Sequence, residues 1–108
     1  MAEQLAELNQ KNIVPIKDIV VEAKTVTGTP TTRLTIYMEG NVAKTGYKPL
    51  AIVGWNDFNA ISVGYYACNL EYNYITGNTA KIAISDSTQQ IVVGTTRTLT
   101  VYVLYVKE

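Results

Sequence analysis

The sequence predicts an all-β fold: an antiparallel β-sandwich of jelly-roll type, preceded by a short N-terminal helix or arm. Three features carry this expectation. From Ile13 onward Val, Ile, Thr and Tyr dominate, residue types that suit a pleated, half-buried surface. Turn formers recur at short spacing between the runs they build. Beyond the first residues no helical period separates those runs, so the seven or eight expected strands have no crossover helix of the kind that joins a parallel sheet. A small closed barrel satisfies the same period-2 pattern.

The elements follow in order. Glu3 to Lys11 is the only segment rich in good helix formers, with Leu5 and Leu8 on one face and Glu7 four residues before Lys11. Two turns with so narrow an apolar stripe are marginal without a docking partner. Residues 1–16 are therefore read as an arm or short helix, a candidate anchor through Leu5, Leu8 and Ile13, and residues 17–108 as one β domain. Ile19, Val21 and Ala23 alternate with Asp18, Val20 and Glu22 in a first strand; Gly28 and Pro30 make a turn, and Leu34, Ile36 and Met38 alternate in a second. Pro49 lacks the N–H that a central strand needs, which places the next strand at Leu50 to Trp55.

Residues 61–69 and 70–75 form one long tyrosine-rich segment, with a turn at Thr76-Gly77-Asn78 leading back through Ala80, Ile82 and Ile84 as an expected hairpin. Ile91-Val92-Val93 reads as a short strand and Gly94 as a break. Thr96 to Lys107 is the longest strand. Its two faces, Leu99, Val101, Val103 and Tyr105 against Thr100, Tyr102, Leu104 and Val106, are both substantially apolar, as in a central strand or one at a subunit interface.

Bulk properties narrow the function. A chain of 108 residues makes one domain. Nine basic and nine acidic residues cancel, so there is no general attraction for phosphate backbones, and nucleic acid is not an expected partner. No histidine is present and the one cysteine, Cys68, has no second thiol, so zinc sites, disulfides and histidine-based triads are excluded. The start carries acids rather than the basic and apolar regions of a signal peptide, and no apolar run approaches the roughly eighteen residues of a spanning helix. Synthesis and folding in a cytoplasm, without membrane insertion, are expected. None of the carboxylates, including Asp18, Glu22, Glu39, Asp57, Glu71 and Asp86, sits in a hydrolase or calcium-loop motif. No catalytic residue, metal or cofactor is predicted.

Aromatic residues supply the candidate contacts. Tyrosine accounts for eight of the ten aromatic residues. Rings of this kind serve cores, subunit contacts and ligand faces alike. Trp55 and Phe58, around Asn56 and Asp57, suit either a core cap at a strand end or a surface that stacks on a sugar. Tyr65 and Tyr66 extend that candidate surface.

Three stretches, GYKPLAIVGWN at 46–56, YITGNTAKIAI at 74–84 and LTVYVLYVKE at 99–108, resemble the β-sandwich domain of virion surface proteins of tailed phages and prophages. Members of that family show Gly-Tyr-x-Pro-Leu-x-Ile-Val-Gly-aromatic-Asn, a later Gly-Asn-Thr-Ala turn and a closing Leu-Thr-Val-Tyr-Val-Leu-Tyr strand. The resemblance covers about the last sixty residues; the first forty-five carry no such match, and Ala51 stands where the family often has glycine. It implies a non-enzymatic protein on the virion surface, assembled in the host cytoplasm as a homotrimer and held on a phage capsid or tail protein. Two roles follow. A capsid decoration or head-fibre protein would bind coat subunits; a tail-fibre tip would bind a host cell-surface glycan through Trp55, Asp57, Phe58, Tyr65 and Tyr66. A chain this short lacks a fibre's long shaft, which favours decoration.

Overall fold

The computed structural model describes residues 18–56 and 68–108. They form six strands: β1 Ile19–Gly28, β2 Thr35–Asn41, β3 Tyr47–Trp55, β4 Cys68–Thr76, β5 Thr79–Asp86 and β6 Arg97–Lys107. Every pairing is antiparallel, and the order is β3-β6-β1-β2-β5-β4 in one continuous sheet. No α-helix occurs among the described residues, and the expected N-terminal helix lies outside them. The all-β antiparallel expectation therefore holds, but in place of two separate sandwich sheets the strands make a single sheet that curls into a nearly closed barrel.

The curl originates between β1 and β2. β1 pairs with β6 without interruption from Ile19↔Val106 to Gly28↔Arg97, yet it meets β2 at one register pair, Thr27↔Glu39. The sheet folds sharply there, and its halves β3-β6-β1 and β2-β5-β4 close on a common core. Val26, Ile36, Met38, Ile52, Ile82, Ile84, Val101 and Val103 fill it. The two end strands, β3 and β4, approach each other across the gap.

Glycine makes the fold line possible. A Cβ on Gly28 would stand 2.1 Å from the Tyr37 carbonyl oxygen, and one on Gly40 would stand 2.3 Å from the Thr25 carbonyl oxygen. Both glycines have ordinary negative φ, so the requirement is space between backbones rather than an unusual torsion.

Several local expectations need correction. β3 begins at Tyr47 rather than Leu50 and contains Pro49, which is tolerated because β3 is an edge strand; its register shifts at Pro49/Ala51 and again at Ile52/Gly54. Ile91-Val92-Val93 is a loop, not a strand. Ile91 is driven into the core while Val92 and Val93 stay exposed, and the loop backbone bonds outside any ladder, Ile91 N–H to the Arg33 carbonyl at 3.3 Å and Gly94 N–H to the Pro30 carbonyl at 2.9 Å. Asp86, fully buried, starts that loop by accepting the Thr88 N–H at 2.8 Å.

The hairpin at Gly77-Asn78 is as expected. Gly77 has φ +59 and Asn78 does not, the type II′ pattern that matches strand twist. Asn78 also accepts Val42 N–H at 2.8 Å, tying the hairpin tip to the end of β2. Gly28→Ala should lower stability by about 3 kcal/mol, because carbonyl backbone must move to admit the methyl group. Gly46→Ala, in open space but at φ +80, should cost about 1 kcal/mol. Urea unfolding of the two variants checks the difference, and equal losses would remove the crossing from its special place.

Candidate functional site

Trp55 closes β3, beside Val101 of β6, half-buried and packed against the core. The chain leaving it is pinned, since Asn56 N–H donates to the Thr100 carbonyl at 3.0 Å and the Tyr102 hydroxyl donates to Asn56 Oδ1 at 3.0 Å. Asp57, Phe58, Tyr65 and Tyr66, like Leu5, Leu8 and Ile13, lie outside the described residues. Cys68 packs half-buried against the core.

The outer face of β3-β6-β1 is apolar. β1 turns Ile19, Val21 and Ala23 outward, and their partners on β6 are Val106, Leu104 and Tyr102. Val21 is 54% exposed, and β3 adds exposed Leu50 and Val53. On this side of β6 Tyr102 is exposed and Leu104 and Val106 are half-buried, against the fully covered Val101, Val103 and Tyr105 of its inner face.

The opposite face of β1, at its start, carries charge. Glu22 accepts a hydrogen bond from Lys44 Nζ at 2.6 Å, with Lys24 Nζ 3.7 Å from its other oxygen. Lys44 also sits 4.9 Å over the Tyr47 ring. The Lys44 bond holds the Glu22 carboxyl below its ordinary range against the opposing effect of desolvation. Nearby, the buried Tyr105 hydroxyl donates to the Val42 carbonyl at 2.5 Å. Burial pushes that phenol above its ordinary value, and the Glu22 charge adds to the shift.

A groove of about 400 Å³ lies where the outer face of the other half meets the end of β1, lined by Thr27 and Gly28 of β1, Tyr37, Met38 and Glu39 of β2, Tyr72 of β4 and Lys81 of β5. Register places Tyr37, Ala83 and Tyr72 side by side across β2, β5 and β4, with Glu39 and Lys81 one row along and Tyr74 beyond Lys81. The three tyrosines are 65%, 39% and 46% exposed in the order Tyr37, Tyr72, Tyr74. Ala83, between two of them, is fully covered. The rings of Tyr72 and Tyr74 are 5.5 Å apart and inclined at 44°, a tilted aromatic contact. Lys81 Nζ stands 4.0 Å from Glu39 Oε2.

These tyrosines are not among the contact residues expected from the sequence. Plain alternation would put Leu70 on one face with Tyr72 and Tyr74; the register shift between Leu70 and Tyr72 separates them, and Tyr37 joins the pair only through strand order. A second hollow, of about 540 Å³, is formed by Arg33 and the loop from Gln89 to Val93. No group of three acidic or cysteine side chains is placed to hold a metal among the described residues.

Glu22 supports a pH prediction. Its folded pKa lies below its unfolded one, so its stabilising contribution is complete above the unfolded value and is lost as pH falls through the folded one. Glu22→Gln should flatten the fall in thermal stability between about pH 5 and pH 3. Melting curves of both proteins across that range decide it; an unchanged slope would mean that the Lys44 pair contributes nothing.

No known protein family, curated protein or solved structure matches the chain.

Proposed function

We propose that the chain is a non-enzymatic structural protein of a phage virion surface, of the capsid-decoration or head-fibre kind, that works through protein contacts. The observation that carries this reading is the apolar outer face of β3-β6-β1. A contiguous outward surface of Ile19, Val21, Ala23, Leu104 and Val106 is an unusual expense of solubility for a face left in water, and it suits a subunit contact. The resemblance of the last sixty residues supports the same assignment and implies a homotrimer. On this reading the halves of the curled sheet are the layers of the implied sandwich, and residues 1–16 are the anchor on a capsid or tail protein.

Two measurements test the proposal. Light scattering on the purified protein should give a trimer, and Val21→Glu, a change at an exposed position, should shift it to monomer while leaving the circular dichroism spectrum intact. A monomeric wild type would overturn self-association through this face. Deletion of residues 1–12 should abolish incorporation into particles; normal incorporation would remove the anchor role.

A further inference from the structure

We propose that the tyrosine-lined groove on the outer face of β2-β5-β4 is a binding site for a neutral hexopyranose unit of a glycan. The site does not depend on the virion assignment. Its construction begins with a register shift in β4 between Leu70 and Tyr72. The extra residue sends both Glu71 and Tyr72 to the exposed side, beside Ala83, and such bulges commonly re-aim side chains at binding sites. Ala83 is the small, fully covered residue between Tyr72 and Tyr37, so the two rings stand on either side of it and line the groove together with Thr27, Glu39 and Lys81.

A pyranose fits this chemistry. Its C–H bonds carry partial positive charge and rest on the negative face of an aromatic ring, and Tyr37 and Tyr72, both exposed, line the groove. Its hydroxyls both donate and accept. Glu39 and Lys81 match both demands, because at 4.0 Å they lie beyond hydrogen-bond reach of each other and keep capacity for a ligand. The volume of about 400 Å³ falls in the range of small-molecule sites. One carboxylate, Glu39, beside one ammonium, Lys81, leaves the lining without net charge, which favours the neutral class over phosphate and acidic sugars.

Lactose, cellobiose and maltose, with 3′-sialyllactose as the acidic comparison, are the probes, titrated into the full chain and followed by amide NMR. At least one neutral disaccharide should shift the signals of Tyr37, Tyr72, Tyr74, Lys81 and Ala83. Tyr37→Ala and Tyr72→Ala should each weaken binding about tenfold, with melting temperature confirming that the fold is kept. Trp55→Phe should bind as wild type. The proposal is overturned if no neutral probe shifts the groove, if sialyllactose binds more tightly than lactose, or if the loss follows Trp55→Phe and not the tyrosine variants.

Discussion

The close passage of β1 over β2 is the constraint on which the rest of the structure depends. Hydrogen-bonded strands lie about 4.8 Å apart, and a flat continuation of that spacing would have left two broad faces in water. Instead the pairing collapses to Thr27↔Glu39, and each strand carries a glycine where the other's carbonyl presses in. That fold line turns one sheet into two facing halves. It allows Val26 of β1, Ile36 and Met38 of β2, Ile82 and Ile84 of β5 and Val101 and Val103 of β6 to share a core, where each fully buried side chain contributes roughly 2 kcal/mol.

Other contacts keep the curl closed at its ends. Tyr105, the largest fully buried side chain, spans from β6 to the Val42 carbonyl just past β2, so one hydroxyl links the two halves. Asn78 reaches the same residue from the β4–β5 turn by accepting the Val42 N–H. Both polar groups of the Val42 backbone are thereby satisfied in a buried position, where an unpaired group would cost about 1–3 kcal/mol. Because the interior is filled in this way, chemistry is available only on the outer faces. These differ sharply: one is aliphatic and continuous, suited to another protein surface, and the other is aromatic and hollowed with acceptors at its edge, suited to a small polyhydroxylated ligand.

Much of this was legible from residue order. The Thr76 to Thr79 turn and its flanking strands were readable because turn chemistry and alternation act within a few residues. The paired apolar faces of β6 announced a central strand or one at a subunit interface, and the structure places β6 between β3 and β1. Pattern misled where burial was not uniform along a strand. Glu22 and Lys24 share the inward side of β1 with Val26, because that end of the curled sheet admits water and Lys44, while the apolar trio Ile19, Val21 and Ala23 points out. Ile91-Val92-Val93 has strand composition, yet its backbone bonds go to the Arg33 and Pro30 segment.

By itself the sequence determined the all-β class, the hairpin, the central last strand and the lack of histidine and disulfide chemistry, since these rest on residue types and on interactions between near neighbours. Only the tertiary structure decided that the strands form one curled sheet, that Gly28 serves a backbone crossing rather than a turn, and that Tyr37 joins Tyr72 and Tyr74 around Ala83. Those outcomes depend on which strands lie side by side. Strand order is set by long-range packing of the whole core, and alternation within any one strand carries no record of its neighbour.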